Sequence, residues 1–201
     1  KTIIRYFPDK NEQRDIEKPA VLHLEDNLLD QPEAAINSAQ AEISGVVGLM
    51  ERVVGTLVRP FFNDKEQADI ENSELDLKTG LNQRLEKITF LNEKISEYLL
   101  ITSRGDLNSD QSREVFSLLS TVNYLQSMNN IVKLRFERLL DNKKNADGNF
   151  SQEGQEEISD YHTKLVKQVK RLNKFFTKFD RAKAEKIMTK GQQYKDIEEK
   201  Y

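Results

Sequence analysis

The sequence predicts an all-α protein of long antiparallel helices, and three observations carry that expectation. Apolar residues recur at steps of 3, 4 and 7 over long segments, the spacing of one face of an α-helix. No stretch sustains the two-residue alternation of a half-buried strand. Helix stop and start signals (Pro60, Gly105, Asn108, Ser151) fall at the ends of the periodic segments. The predicted helices run to roughly 25–38 residues, some 40–55 Å at about 1.5 Å per residue. Long helices with short connections favour an up-and-down bundle.

Residues 1–30 show no sustained period and contain Pro8 and Pro19, so they read as a linker with a few docked apolar residues. The first helix is expected at "QPEAAI", where Pro32 suits a first helical position and Glu33 meets the positive end of the helix dipole. Its apolar face runs Ile36, Ala39, Ile43, Val46, Val47, Met50, Val53, Val54, Leu57 and Phe61. Pro60 should end or kink it, having no amide hydrogen to donate. A second helix is expected between about 65 and 102, with the stripe Ile70, Leu77, Leu81, Ile88, Leu91, Ile95, Tyr98 and Thr102, and Gly105 as its stop. "NSDQ" then offers a capping box, Asn108 as cap with Gln111 three residues on. The third helix carries Val115, Leu118, Val122, Leu125, Asn129, Val132, Phe136 and Leu139, and "DNKKNADGN" (141–149) reads as a polar loop. Ser151 caps a fourth helix with the stripe Ile158, Tyr161, Leu165, Val169, Leu172, Phe176 and Phe179. A fifth begins near Asp180 and runs through Ile187, Gly191, Tyr194 and Ile197 to Tyr201.

The 201 residues are enough for one sizeable core or two small ones. Charged residues make up 32% and hydrophobic ones 37%, and the apolar residues recur in register, so the chain is not a disordered one. It has no cysteine, which excludes disulfides, thiolate zinc sites and cysteine nucleophiles. No apolar run approaches the roughly 18 residues that cross a bilayer, and nothing resembles a signal peptide. The chain begins at Lys1 rather than Met, and is expected to be a piece of something longer. The net charge of −3 is unevenly spread: residues 1–163 sum to −10 and residues 164–201 to +7.

A repeat is visible. "ITFLNEKI" (88–95) and "YKDIEEKY" (194–201) place Ile88, Leu91 and Ile95 at the same offsets as Tyr194, Ile197 and Tyr201. Each follows a long amphipathic helix by a similar distance. The expected organisation is a linker (1–30), a first three-helix unit (31–142) and the start of a second, incomplete one (150–201).

Three stretches carry a resemblance to a family. "HLEDNLLDQPEAAINSAQAEI" (23–43), "YLLITSRGDLNSDQSREVFSLLSTVNYLQSMNNI" (98–131) and "FSQEGQEEI" (150–158) look like the PhoU-like domain that follows the membrane region of bacterial Na+/phosphate cotransporters. The most specific phrase is Leu28-Leu29-x-x-Pro32-x-x-Ala35, and "RYFPDK" (5–10) is similar to the juncture after the last membrane helix. The resemblance implies tandem antiparallel three-helix bundles, the second truncated here. It also implies a place on the cytoplasmic side of the inner membrane, as part of an integral membrane protein.

Such domains carry Glu-x-x-x-Asp motifs on their inner helices, two carboxylates one turn apart that jointly hold a cation. The matching positions here are Gln126 and Asn130 in "QSMNN", Leu85 and Thr89 on the second helix, and Gly191 and Lys195 on the fifth. None is a carboxylate, so the metal site reads as lost and no cofactor is expected. The ordinary reading of the amides is a hydrogen-bonded patch between helices.

Other candidates are weaker. "KKNADGNFSQEG" (143–154) has Asn145, Asp147 and Gly148 at positions 3, 5 and 6 of an EF-hand loop, but Lys143 and Gly154 stand where the two charged anchors belong, so an interhelical turn is expected. His23 and His162 each lack a second ligand at metal spacing and read as surface or boundary residues. No nucleophile–base pair or phosphate loop can be assembled, so catalysis is not expected. Lys164, Lys167, Arg171, Lys174 and Lys178 recur at steps of 3, 4, 3 and 4. A solvated face is the default for such a stripe. The functional reading is docking on an anionic membrane surface, each lysine near the headgroups contributing about 1 kcal/mol. Nucleic acid is not expected, because the chain is acidic overall and few aromatics interleave the stripe.

The function expected from the resemblance is a non-catalytic regulatory or coupling module of a sodium-dependent phosphate transporter. Its partners would be the membrane domain of the same chain, an anionic membrane surface and, in an oligomer, a second copy. A free-standing soluble regulator of phosphate uptake and signalling is the alternative, and a metal-dependent protein on the same bundle a third.

Overall fold

A computed structural model describes residues 19–62, 68–145, 150–178 and 180–198. Six helices account for nearly all of them: α1 (Pro32–Thr56), α2 (Arg59–Phe62), α3 (Leu77–Thr102), α4 (Ser109–Asn145), α5 (Gln152–Thr177) and α6 (Arg181–Glu198). No named strand occurs among the described residues; Ala68 and Asp76 form one isolated antiparallel bridge. The all-α expectation therefore holds.

The helices pack in sequence around α1. It lies against α3 and α4 on one side and against α5 on the other, while α6 packs on α5. This explains a difference from the sequence, which shows one apolar face on α1. Ala35, Ile36, Ala39, Ile43, Val46, Val47, Leu49, Met50, Val53 and Val54 are all buried, together with the polar Ser38, Glu42 and Thr56. A helix with partners on both sides buries far more than a single stripe. The predicted α3 stripe from Leu77 to Thr102 is buried throughout, and so are Val115, Leu118, Val122, Leu125, Asn129 and Phe136 of α4.

Local signals set the helix starts. Asp76 caps α3, its carboxylate accepting from the Thr79 amide at 2.9 Å. The capping box of α4 is closed in both directions. Asn108 Oδ1 accepts from the amides of Asp110 and Gln111, and the Asn108 amide donates to Gln111 Oε1 at 3.0 Å. Ser151 Oγ accepts from the Gly154 amide at the start of α5. Asp180 accepts from the amides of Ala182 and Lys183 at the start of α6.

Several boundaries differ from expectation. α1 ends at Thr56, and Pro60 sits inside the separate short helix α2. The second long helix begins at Leu77, not near 65, leaving Ile70 in an irregular segment with 41% of its surface exposed. The reason is Asp69. Its Oδ1 accepts from the amides of Glu71 and Asn72, and its carboxylate takes two hydrogen bonds from the Arg84 guanidinium, at 2.9 and 2.6 Å. That paired, buried carboxylate turns the chain where a helix would have to run straight. Gly80 makes room for it: a Cβ there would lie 2.2 Å from the Asp69 carboxyl carbon. α4 runs through Asn145, so the first residues of the expected polar loop are helical, and the Lys143 ammonium donates to the Pro60 carbonyl at 2.9 Å. Asp147, Gly148, Phe179, Tyr201 and the juncture expected at residues 5–10 lie outside the described residues.

Part of the presumptive linker is docked. Leu24 and Leu29 pack on the core, and a 3-10 turn spans Asp26–Leu28. Glu42, buried in α1, accepts from the amides of Leu22 and His23 at 3.0 and 2.7 Å, and the Tyr98 hydroxyl donates to the Glu25 carbonyl at 2.9 Å. Burial raises the Tyr98 pKa above its ordinary value. The segment from residue 19 to residue 31 is thus fastened to the end of the bundle where α1 begins and α3 finishes.

Candidate functional site

Three features can be built from the residues upward: the amide seam between α3 and α4, the basic face of the α5–α6 hairpin, and an apolar hollow at the α2–α4–α5 junction.

The amide seam holds four of the six degenerate motif positions. Asn129 is fully buried. Its side-chain nitrogen donates to the Leu85 carbonyl at 3.0 Å and to the Thr89 hydroxyl at 2.9 Å, and that hydroxyl donates onward to Leu85. One turn earlier on α4, Gln126 Oε1 accepts from the side-chain nitrogen of buried Asn92 at 2.9 Å, while its own nitrogen donates to Asn130 at 3.0 Å. Gln126, Thr89 and Asn130 are therefore members of a hydrogen-bonded ladder between two helices, while the Leu85 side chain is packed in the core. Gly191 lies apart, on α6 beside Gln168 of α5, and exposed Lys195 is on the same helix. The side-chain oxygens of Asn92 and Asn129 are buried without a hydrogen-bond partner. No group of three or more His, Cys, Asp or Glu placed to hold a metal occurs among the described residues. An uncharged ladder fixes helix register. It offers no negative charge to a cation.

Spacing placed buried Asn129 on the apolar stripe of its helix but passed over buried Asn92. Asn92 continues the α3 register of Leu85 and Ile88, and Asn129 that of Val122 and Leu125. A polar residue at an apolar register position is the signal that marks such a pair.

The structure divides the basic stripe of α5. The Lys164 ammonium is bonded to Asp160 one turn earlier. The Arg171 guanidinium donates to Gln168 Oε1 at 3.1 Å and to the Tyr194 hydroxyl of α6 at 3.0 Å, so α6 lies along that edge. Lys167, Lys174 and Lys178 are exposed, and none has a carboxylate partner among the described residues. On the other side of the helix Val169 and Phe176 are buried, and Asn173 donates to Glu51 of α1 at 2.8 Å. His162 is a boundary residue: its Nε2 meets the Val54 carbonyl at 2.7 Å, in the last turn of α1, where the Leu57 amide reaches the same oxygen at 3.3 Å.

The hollow has a volume of about 360 Å³ and is lined by Leu57, Val58, Phe61, Ile131, Val132, Phe136, Phe150 and Ile158, with Arg135 and Leu139 at its edge. Phe61 meets Phe136 edge-on, with ring centroids 6.4 Å apart. Its walls hold no titratable group positioned for acid–base or nucleophilic chemistry. No described helix is long and apolar enough to cross a membrane.

Compared with known proteins, the chain matches no family model, no curated protein and no solved structure.

Proposed function

We propose that this all-helical chain is a non-catalytic regulatory or coupling domain that works by presenting helix faces, and that it serves a sodium-dependent inorganic phosphate transporter from the cytoplasmic side of the membrane. The observation that carries the reading is the exposed, carboxylate-free row Lys167, Lys174 and Lys178 on a hairpin appended to an otherwise acidic body. Three lysines near anionic headgroups supply roughly 3 kcal/mol, enough to orient a tethered domain and too little to hold an untethered one. The phosphate transporter itself comes from the resemblance of residues 23–43, 98–131 and 150–158 to PhoU-like domains, which also supplies the tandem three-helix arrangement. The amide ladder supports a metal-independent version of such a domain, since its members hold helices together without charge.

The test is sodium-dependent phosphate uptake in cells expressing the parent gene with Lys167, Lys174 and Lys178 all changed to Glu. Uptake or its response to phosphate supply should change while helix content and melting temperature do not. Unaltered uptake and unaltered response, in a variant that still folds, would sink the reading. A free-standing regulator is the second reading, supported by a single apolar core that runs through α1, α3, α4 and α5. It predicts that the protein partitions with the soluble fraction of its native cell and binds the transporter in trans.

A further inference from the structure

α4 carries a second apolar stripe that faces away from the core. Phe116, Tyr124, Ile131 and Leu134 are exposed to 64, 73, 62 and 73%. With Ser120 and Ser127 between them, they fall at steps of 4, 4, 3, 4 and 3, one face of the helix over about 27 Å. The two serines are exposed, yet their hydroxyls turn inward: Ser120 donates to the Phe116 carbonyl and Ser127 to the Asn123 carbonyl, both at 2.9 Å. The strip between the large side chains is therefore shallow and has spent its hydroxyl donors. α4 packs on α1, α2 and α3 through its other faces. Singly exposed apolar residues are ordinary, but a continuous helical row of four is the signature of an interface.

We propose that this face of α4 pairs antiparallel with the same face of a second copy of the chain. Size and charge both select that occupant. The stripe alternates large and small residues in 3–4 steps. Antiparallel layers then set Ile131 of one copy over Ser127 of the other, and Leu134 beside Tyr124, so that each projection meets a recess or a ring. Charge is polarised along the helix. Its first two turns hold Asp110 and Glu114 with one arginine, whereas residues 133–138 hold Lys133, Arg135 and Arg138 with one glutamate, itself bridged to Lys78. Parallel pairing would stack the two cationic ends. Antiparallel pairing keeps the two cationic ends apart and opposes the two helix dipoles. It carries Arg138 to the Phe116–Ser120 turn of the partner, beside an aromatic ring, although Asp110 and Glu114 at that end are already held by Arg113 and Gln40. The proposal does not depend on the transporter reading.

One helix stripe covers less than the roughly 800 Å² per partner of a standard interface, so the dimer is weak: largely dimeric near 100 µM and monomeric near 1 µM. Sedimentation velocity across that range should show the mass rising from the 23.4 kDa of one chain toward twice that value. A monomeric mass at every concentration up to about 1 mM overturns the proposal. Because Tyr124 and Leu134 are each 73% exposed and line no part of the hollow, Tyr124→Glu and Leu134→Glu should keep the wild-type melting curve and abolish the concentration dependence. Dimerisation undiminished in both places the contact elsewhere and overturns it as well. Orientation is read by oxidation, in a chain with no native cysteine. A mixture of the Ser127→Cys and Ile131→Cys proteins should give the mixed disulfide in excess over either self-linked product. An excess of self-linked Ser127→Cys would show parallel helices and refute the arrangement.

Discussion

Changing Asp69 to Asn removes one charge and almost no volume, and the structure says what that charge contributes. Burial alone would raise the pKa of Asp69. The Arg84 guanidinium and the amides of Glu71 and Asn72 overcome it and hold the carboxyl at about 2, against an ordinary 3.8. A carboxyl depressed on folding stabilises the protein above its unfolded pKa, and that contribution drains away as pH falls through the folded value. At about 1.4 kcal/mol per unit, the depression corresponds to about 2 kcal/mol at pH 6, about half of that at pH 3 and little at pH 2. Urea unfolding of wild type and Asp69→Asn across pH 2–7 should therefore give a stability difference that opens between pH 2 and pH 5 and is flat above. At neutral pH the melting temperature should fall by about 5–10 °C for a chain of this size. A difference below about 0.5 kcal/mol at pH 6, or one independent of pH, would refute the assignment of the clip to a charged Asp69. Replacing both partners, as Asp69→Asn with Arg84→Met, should recover much of the loss, because a buried guanidinium left with only half-exposed Glu71, at 3.6 Å, is the expensive species.

Two further outcomes rest on the same packing. Asn129→Asp should cost about 3 kcal/mol or more in denaturant unfolding, since it buries a carboxylate against the Leu85 carbonyl, while Asn129→Leu should stay within about 1 kcal/mol because the Thr89 hydroxyl keeps its own bond to Leu85. Equal effects from the two would remove the buried ladder from consideration. Gly80→Ala, which in an exposed helix interior would stabilise by up to about 1 kcal/mol, should instead lower stability by at least about 2 kcal/mol, read by thermal melting, because the methyl group meets the Asp69 carboxylate.

The parts of the fold that were legible in the sequence are the parts made by near neighbours. Asn108 and Gln111 announce the start of α4 because each bonds within three residues, and Pro32 and Ser151 act as locally. The apolar register of α3 was visible from Leu77 to Thr102 because one partner-facing stripe suffices there. Contacts across longer intervals were hidden. Ile70 continues the helical spacing of α3 backwards, and only the pairing of Asp69 with Arg84, 15 residues away, takes it out of the helix. Asn129 was legible as a polar residue on the apolar stripe of its helix, whereas Asn92, 34 residues from its partner Gln126, was not. Spacing likewise laid out a five-residue basic face on α5 without saying that Tyr194 of α6 would take the Arg171 guanidinium. The outward row on α4 was missed for a related reason: four large residues opposite a complete core stripe look like noise until their exposure among the described residues is seen.

α1 is the one helix shared by both halves of the molecule, and the halves are unequally fastened to it. Toward α3 and α4 it is sealed by fully buried side chains on both sides, whereas α5 meets it with Val169 and Phe176 buried, Val166, Leu172 and Phe175 partly buried, and Asn173, Lys170 and His162 as polar contacts. The clip, the capping box and the amide ladder all lie on the α3–α4 side, so none of them depends on the hairpin. It is also the half that carries the positive charge. A pull on those lysines is therefore transmitted through the α1–α5 seam, and the helix on the far side of that seam is the central beam of everything else.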